Sequence, residues 1–473
     1  MELEDRTGLL EVHQSVGFLQ RLTVLNLRNC KRLAHFPRSV LLGIRSDSRR
    51  SGRPALNQLR IQASQSQDVR GLKSLIILNL SDCSKLDRLP QDLEEMKCME
   101  EVDVGGTAIR ELPFSIVHLT TLKKLSFREY TRQPPKTCRS LLGPLLQKRN
   151  PNSSCLQLPP LVSLCSLQEL VLRGCNRSEG TIPDDLDSLA LLEQLDLSRN
   201  NFVSLPKSIS RLSKLRFLCL EKCRKLQSLP ELPREIMVVG AENCSSLEVI
   251  SSALEGNTSP NVTYCFLNCF KLVENQGRKN SLAVLLLKRQ LQSCMLNHVS
   301  LLYVLQELSI HSAHFHICLP GSEISKWFTH WSEGPEVQIG QSPNWFSKEF
   351  MGFAVCAVIS NPCNWYGSEC YCKFYLGSET IGIKSDIRSS FESDHLWLGY
   401  LSLDIFKILV FLFCFSIWLT LFVIFLLQLM AYGFWCCYSV FIHGFFFNCN
   451  MFYIVDGFLF LVFNSRGVHC QFL

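Results

Sequence analysis

The 473-residue chain is 47% hydrophobic, has a mean hydropathy of +0.12 and carries a formal net charge of +6. Its Lys and Arg are scattered rather than gathered in one basic stripe, which argues against nucleic acid as a partner. The length allows two or three domains, and 16 of the 31 Phe follow Leu401, so the last segment differs in composition from the rest.

The amino terminus and the cysteines indicate where the protein resides. The stretch MELEDRTGLLEV is acidic and has no apolar segment of the signal-peptide type, so we expect a cytoplasmic protein. The chain has 23 Cys, but Cys30, Cys83, Cys175, Cys223 and Cys244 all occupy the turn of a repeat described below. Reduced, buried structural thiols are therefore favoured over a disulfide scaffold.

A leucine repeat organises the first half of the chain. Between 189 and 230 the sequence LALLEQLDLSRNNFVSLPKSISRLSKLRFLCLEKCRKLQSLP contains LxxLxLxxN/C twice, and each pass ends in Leu-Pro. In this leucine-rich repeat (LRR), LxL is a short strand and the Asn or Cys turns the chain and bonds backbone groups. One repeat cannot bury its own apolar face, whereas stacked repeats can, and each buried leucine contributes about 1.5–3 kcal/mol.

The same spacing recurs from the start of the chain, so the chain is expected to begin inside an array of repeats. The strand positions Leu78, Val102 and Leu125 are 24 and 23 residues apart, a period that excludes an ordinary globular core. Polar segments at 41–70 and 128–160 interrupt the period. The first is interpreted as a degenerate repeat or a surface loop, and the second is a predicted loop. The period is lost after Ile250, so we predict an α/β leucine-rich-repeat solenoid over 9–250.

Polar and charged residues flank the inward-facing leucines of the predicted strands. We expect them to project from the concave face of the solenoid, a surface that suits protein recognition. Any single position can equally be a solvated strand residue that contacts no partner. The candidate protein-binding residues are Asn26, Arg28, Asn79, Ser81, Asp103, Arg173, Asp196, Arg199, Glu221 and Lys222.

The sequence changes character after the repeats. Residues 251–313 are predicted to form a connecting segment, and from 314 to 402 short apolar strands alternate with Gly, Pro, Asn and Ser. This pattern predicts a small β-sandwich. Residues 353–359 are apolar on both alternations, as in a strand that is covered on both faces.

Several of these motifs together resemble a known family. The repeats GTIPDDLDSLALLEQLDLSRNNFVSLP and LCLEKCRKLQSLPELP are followed by CLPGSEISKWF, MGFAVCAVI and DHLWLGY. Over 9–402 this combination resembles the carboxy-terminal half of plant TIR-NB-LRR disease-resistance proteins. The resemblance implies an intracellular immune receptor. Its repeats and the following jelly-roll or Ig-like domain, called C-JID, would recognise a pathogen effector or a guarded host protein.

The chain also departs from this family. No G-x-x-x-x-G-K-S/T phosphate loop occurs, and the residues before 9 leave no room for a TIR domain, so neither TIR nor NB-ARC is predicted here. Contacts with its own TIR and NB-ARC domains are expected only if the gene is longer. Ser325 replaces the usual Pro of the motif, and the resemblance ends near Leu401. We therefore expect an incomplete sandwich with an exposed edge.

The remaining residues, 403–473, form a hydrophobic tail. Residues 408–455 contain no Asp, Glu, Lys or Arg, and 408–431 alone exceeds the roughly 20 apolar residues that cross a bilayer. The tail is interpreted either as transmembrane, giving membrane association, or as translated noncoding sequence. The second interpretation is favoured because the family resemblance ends abruptly where the Phe-rich tail begins.

No motif of the sequence indicates catalysis. The chain has no HExxH, no GxSxG and no paired CxxC of the zinc type, so no catalytic residue, cofactor or metal ligand is predicted. The predicted function is a non-catalytic recognition module of plant defence. Two alternatives stay open. One is a membrane-anchored LRR receptor-like protein, which glycosylation at Asn176 or Asn243 would favour. The other is a fragment of a full-length receptor with NAD-cleaving TIR activity.

Overall fold

The structure is a computed structural model in which the chain divides into two units, Met1–Asn257 and Thr258–Leu473. Each unit is described by itself. The structure describes residues 1–36, 71–91, 93–128, 161–175, 182, 186–250, 262–274, 282, 284–288, 315–328, 330–332, 336–340, 352–359, 370–376, 379–385, 392–402, 458–463 and 468–472. The segment 41–70, predicted to be a degenerate repeat or a loop, and, apart from Arg128, the predicted loop at 128–160 lie outside these residues.

The first unit is a row of short parallel strands. They are β1 (Val24–Asn26), β2 (Ile77–Asn79), β3 (Glu101–Asp103), β4 (Lys124–Arg128), β5 (Glu169–Arg173), β6 (Gln194–Asp196), β7 (Phe217–Cys219) and β8 (Val238–Gly240). Each strand pairs in parallel with the next one along the chain. The second residue of every strand lies in one register column and is at most 1% exposed: Leu25, Leu78, Val102, Leu125, Leu170, Leu195, Leu218 and Val239. The predicted leucine-rich repeats are confirmed.

The helical segments of the repeats require a correction of the predicted α/β class. In the described part of this unit they are all 3-10 helices: η1 (Gln14–Phe18), η2 (Leu93–Glu95), η3 (Phe114–His118), η4 (Leu161–Ser163), η5 (Leu186–Ser188) and η6 (Lys207–Arg211). Each has only three to five residues. Short helical segments such as these favour the tighter 3-10 turn, because few hydrogen bonds are available to offset the cost of nucleating an α-helix.

A turn with a recurring side chain follows the repeat strands. At this turn Cys83 Sγ contacts the Leu27 carbonyl at 3.1 Å and Cys244 Sγ contacts the Leu220 carbonyl at 3.1 Å, each one repeat earlier. Asn200 does the same through Nδ2, which donates to the Leu172 carbonyl at 2.8 Å. Burial raises the pKa of Cys83 and Cys223 to about 12, so both stay protonated donors at neutral pH. The predicted burial is confirmed at Cys30, Cys83, Cys223 and Cys244, whose thiols are free, whereas Cys175 is partly exposed.

The described residues of the second unit include a short α-helix, α1 (Lys271–Glu274), further α-helical residues at 284–288, and ten strands. The strands are β9 (Thr263–Cys265), β10 (Phe315–Pro320), β11 (His330–Ser332), β12 (Glu336–Gly340), β13 (Gly352–Ile359), β14 (Cys370–Leu376), β15 (Glu379–Ser385), β16 (His395–Ser402), β17 (Phe458–Phe463) and β18 (Val468–Phe472). One sheet of this unit has the order β9-β10-β16-β13-β18-β11, and the other has the order β12-β17-β14-β15. All of these pairs are antiparallel except β9 with β10.

The core of the second unit agrees with the predicted double coverage of 353–359. Residues Ala354, Val355, Cys356, Ala357, Val358 and Ile359 of β13 are all at most 5% exposed, so both faces of this strand are covered. β16 contributes Trp397 and Leu398, which are 2% and 0% exposed. Two antiparallel sheets with a doubly buried strand are the arrangement that a β-sandwich requires.

Two strands come from the segment predicted to be a hydrophobic tail. β18 pairs with β13 and β11, and β17 pairs with β12 and β14, so each is inserted between strands of a sheet. This corrects the predicted incomplete sandwich, because strands after residue 402 cover edges that would otherwise leave backbone N–H and C=O groups unpaired. The predicted boundaries at 250, 313 and 402 stay predictions.

The transmembrane interpretation rests on 408–431, which lies outside the described residues. Among the residues that are described, no helix combines the length and the apolar character needed to cross a membrane.

Candidate protein-interaction surface

The strand row β1–β8 presents one face to solvent. Successive side chains of a strand point to opposite sides, so the first and third residues lie opposite the buried middle one. We keep the name concave face for the surface formed by these residues and by the turns that follow them. Its third-position residues lie in one register column: Asn26, Asn79, Asp103, Ser126, Val171, Asp196, Cys219 and Gly240.

Four candidate residues of this column shape the turn that follows their own strand. Oδ1 accepts the backbone N–H two residues ahead at 3.1 Å in Asn26, 3.0 Å in Asn79, 2.8 Å in Asp103 and 2.8 Å in Asp196. This is the hydrogen bond of an Asx turn, which Asn and Asp make better than longer side chains. These residues therefore have a local structural role. In three of them the remaining polar atom is engaged as well: Asn26 Nδ2 donates to Glu2 Oε2 at 2.6 Å, Asp103 Oδ2 lies 3.5 Å from Arg128 Nη2, and Asp196 Oδ2 lies 3.7 Å from Arg173 Nη1.

Two other candidate residues, Arg28 and Ser81, differ from these four. Arg28 is exposed and its Nη1 lies 3.3 Å from Glu4 Oε1. Ser81 was expected to project into solvent, but it is only 1% exposed and its hydroxyl donates to Asn79 Oδ1 at 2.7 Å. The assignment of Ser81 to the binding surface is therefore wrong, because the turn that Asn79 shapes draws its hydroxyl inward.

Five candidate residues come together at the carboxyl ends of β5, β6 and β7. Arg173 forms an ion pair with Glu221 and has Nη1 3.7 Å from Asp196 Oδ2, and Lys222 Nζ lies 2.5 Å from Glu221 Oε1. The exposed Arg199 joins them through its backbone N–H, which donates to the Glu221 carbonyl at 2.7 Å. We call these five residues the charged cluster.

Glu221 is the centre of the charged cluster. Partial burial raises the pKa of its carboxyl, but the hydrogen bond from Lys222 and the charges of Arg173 and Lys222 outweigh this and lower the pKa overall. Glu221 is therefore ionised at neutral pH. Its charge is compensated inside the cluster, so a partner that covers the cluster does not meet an isolated buried charge.

An apolar patch adjoins the charged cluster and was missed by the sequence analysis. Phe217 and Cys219 of β7 pair in register with Val238 and Gly240 of β8, and all four are partly exposed on the concave face. A Cβ placed on Gly240 would meet no atom within 4 Å, so the space above it is open. Burial raises the pKa of Cys219 to about 11, with Asp196 acting in the same direction, so the thiol remains neutral and apolar.

The sequence did contain a signal for the apolar patch. The outward positions of RFLCL and MVVGA carry Phe, Cys, Val and Gly, where β3 and β6 carry Glu101, Asp103, Gln194 and Asp196. A partly exposed apolar centre bordered by paired charges has the composition of a protein interface. In the described part of the chain, no three His, Cys, Asp or Glu residues lie close enough together to hold a metal ion.

Comparisons with known proteins agree with this architecture. The C-JID domain family matches residues 319–456, and the Leucine Rich Repeat family matches 191–212. The C-JID match continues past the predicted boundary at 402. LRR and C-JID domains typically serve recognition and are non-catalytic, but neither match identifies a partner.

Curated relatives cover most of this chain. Disease resistance-like protein DSC1 of Arabidopsis thaliana is 27% identical over 86% of this chain and 30% of that protein. Disease resistance protein RPS4B of Arabidopsis thaliana is 29% identical over 70% of this chain and 29% of that protein. The chain thus spans about 30% of the length of these relatives.

Among solved structures, the chain is similar to the functional domain of InlJ from Listeria monocytogenes, which includes a cysteine ladder. The match covers 51% of this chain and 41% of the InlJ chain, with 14% identity and a TM-score of 0.31. The repeat fold is established by the strand register given above, independently of this match. The family matches and the relatives show that the chain resembles the carboxy-terminal leucine-rich-repeat and C-JID portion of plant TIR-NB-LRR disease-resistance proteins, which confirms the resemblance predicted from the sequence.

Proposed function

We propose that this chain is a non-catalytic recognition module of an intracellular plant immune receptor. On its concave face it binds a pathogen effector or a guarded host protein during the defence response. The observation that carries the proposal is the apolar patch beside the charged cluster. Relatives named as disease-resistance proteins support the setting in plant defence.

The apolar patch supplies affinity in this proposal. Buried aromatic side chains near the centre of an interface carry much of its binding energy, and Phe217 is the aromatic residue of the patch. Gly240 leaves open space beside Cys219, into which an apolar side chain of the partner fits. The charged cluster fixes orientation more than it adds affinity, because four of its five charges, those of Arg173, Asp196, Glu221 and Lys222, are already paired with one another.

Contacts with TIR and NB-ARC domains, NAD cleavage and a cytoplasmic location belong to the proposed receptor as a whole. They stay predictions for this chain, which matches about 30% of its relatives' length.

The test begins with proximity labelling of the full chain in infected and healthy leaf tissue. Each enriched effector or host protein is then purified, and its affinity for the full chain is measured by calorimetry. We expect Phe217→Ser to weaken binding by at least about tenfold, as truncation of a central aromatic residue does.

A matched control is Leu191→Ser. Leu191 is 45% exposed but lies before β6, outside the apolar patch and the charged cluster. The proposal requires that Leu191→Ser leaves the affinity unchanged. If Phe217→Ser binds as tightly as the wild type, or if Leu191→Ser weakens binding as much, the concave face is not the recognition surface.

A further inference from the structure

The repeat between β7 and β8 is shorter than the one before it. Leu218 and Val239 are 21 positions apart, compared with 23 for Leu195 and Leu218. Where the preceding repeat forms η6, this repeat runs through Pro230 and Pro233 and no 3-10 helix forms in its described residues, 224–237. Each proline fixes its φ and removes a backbone donor, which disfavours a second helical turn at this point.

A cleft of about 630 Å³ opens at this step. It is lined by the end of η6, the loop that leads into β7 and the turn before β8: Ser210, Arg211, Ser213, Lys214, Arg216, Arg234 and Glu235. This volume lies within the range of small-molecule sites, roughly 300–1,000 Å³, and is far larger than one inorganic phosphate. None of the lining residues belongs to the apolar patch or the charged cluster, so the cleft is independent of the proposed function.

The charge of the lining is strongly unbalanced. Four cationic side chains face one carboxylate, Glu235, and two serine hydroxyls accompany them. Arg211 is engaged elsewhere, since its Nη1 lies 2.9 Å from Asp187 Oδ2. Among the described residues, no ion pair is formed by Lys214, Arg216 or Arg234. Guanidinium groups present planar pairs of donors that match phosphate oxygens. The Ser210 hydroxyl already donates to the Lys207 carbonyl at 2.9 Å, so the hydroxyl of Ser213 is the neutral donor that the lining adds.

The cation at the position of Arg216 is not repeated in the two preceding repeats. The register equivalents of Arg216 in the two preceding repeats are Glu193 and Gln168. An extended acidic peptide that continued from the cleft along the repeats would therefore meet the acidic residue Glu193 and be repelled by it. A compact ligand would not. We propose that this cleft binds a compact polyanion with two or more clustered phosphate groups, either as a free molecule or as a lipid headgroup.

The test uses the full chain and inorganic tripolyphosphate, titrated by calorimetry at low salt and again at higher salt. We expect the double variant Lys214→Glu with Arg234→Glu to lose at least about tenfold in affinity, because each charge-assisted contact to phosphate becomes repulsive. The control is Lys85→Glu with Arg88→Glu. It changes the net charge equally at two exposed positions of another repeat.

A third variant tests the sign of the effect. Glu235→Gln removes the carboxylate that opposes an anion, and we expect about a two- to fivefold gain in affinity, the range of one exposed charge interaction. A gain of this kind cannot come from a loss of folding. Because the lining is exposed, the affinity should also fall as salt rises.

Two further probes distinguish the sources of the phosphate. Phosphatidylcholine vesicles with a minor fraction of phosphatidylinositol 4,5-bisphosphate test the headgroup, and binding to them but not to tripolyphosphate assigns the cleft to a membrane lipid. Equal tripolyphosphate affinity in the wild type and the Lys214→Glu, Arg234→Glu variant overturns the proposal. An equal loss in the control variant, or tighter binding of an oligoglutamate peptide than of tripolyphosphate, also overturns it. If the charge-reversal variant loses its circular dichroism signal, Lys214→Gln with Arg234→Gln replaces it.

Discussion

The turn after the repeat strands places one residue in the left-handed region of φ. Asn29, Asp82, Arg199, Lys222 and Asn243 adopt φ between 58° and 62°, whereas Gly106 and Gly174 adopt 75° and 70°. Asn and Asp tolerate this region because their short polar side chains bond locally, and Gly has no Cβ to clash. At Gly106 the requirement is stricter. A Cβ there would lie 2.4 Å from Asp82 Oδ1 and 3.1 Å from the Asp82 Cα.

We therefore expect Gly106→Ala to lower the free energy of unfolding by about 1–3 kcal/mol, the cost of a left-handed non-glycine residue together with a close backbone contact. Gly240→Ala is the matched control, because its Cβ would meet nothing within 4 Å. Urea denaturation of both variants measures the difference. Equal stability of the two variants would show that the approach to Asp82 is not limiting.

The polar residue that closes the turn has a separate role. Asn200 is 1% exposed, and its Nδ2 lies 2.8 Å from the Leu172 carbonyl and 2.7 Å from the Leu197 carbonyl. We expect Asn200→Ala to lower the free energy of unfolding by about 1–3 kcal/mol, because it leaves buried carbonyls unsatisfied. Asn200→Cys should recover part of the loss, since Cys223 contacts the carbonyl of the preceding repeat from the same position.

Thermal or urea unfolding of the wild type and these two variants decides the point, with the exposed neighbour Asn201→Ala as a control for composition. If the Cys variant is no more stable than the Ala variant, the side-chain bond between repeats does not stabilise the turn.

At the scale of elements, two strands from within the predicted tail, β17 and β18, determine how the second unit closes. β13 pairs with β16 on one side and with β18 on the other, from Val355 with Phe472 to Ile359 with Val468. Without β18, one backbone edge of β13 would be exposed, and an apolar edge of this kind promotes aggregation. These pairings favour a folded role for 458–463 and 468–472 over translated noncoding sequence.

Removal of 458–473 tests that role. We expect amide hydrogen exchange to accelerate at the residues of β13 that face β18, and also in β14, which pairs with β17. The strands of the repeats, such as β6, serve as an internal reference in the same sample. Unchanged protection of β13 and β14 in the shortened chain would show that β17 and β18 are not part of the folded unit.

At the scale of the whole molecule, the sequence predicts the repeats well because each residue of the period carries its own signal. Leu78, Val102 and Leu125 are predicted from spacing alone, and all are at most 1% exposed. The closure of the second unit could not be predicted in this way. β16 ends at Ser402 and β17 begins at Phe458, and a local pattern does not specify pairing across so long a separation.

The site was predicted only in part for related reasons. The positions Arg173, Asp196 and Glu221 follow from the strand period, but their mutual ion pairs depend on how repeats stack. Phe217 and Val238 were missed because apolar strand residues were attributed to the core. The outward positions of a strand become informative only when each repeat is compared with its neighbours.

The second unit also contains a buried histidine, and its stability should therefore depend on pH. His395 is 0% exposed, its Nδ1 lies 2.8 Å from the Ser393 carbonyl, and its Nε2 accepts the backbone N–H of Asn268 at 2.9 Å. Burial lowers the pKa of His395, although the Ser393 carbonyl and the charge of Asp394 act in the opposite direction. The folded state therefore holds the neutral imidazole, with the proton on Nδ1.

In the unfolded chain the same imidazole gains a proton near its ordinary pKa of about 6.5. As the pH falls below that value the unfolded state binds the proton first, so stability is fully present above it and declines until the lowered folded pKa is reached. We expect the thermal unfolding midpoint of the second unit to decrease as the pH is lowered from 7 to 5. His395→Gln should show a lower midpoint at pH 7 and a weaker pH dependence. Calorimetry of the wild type and the His395→Gln variant over this pH range measures the two midpoints. An equal pH dependence of the two would exclude His395 as the cause.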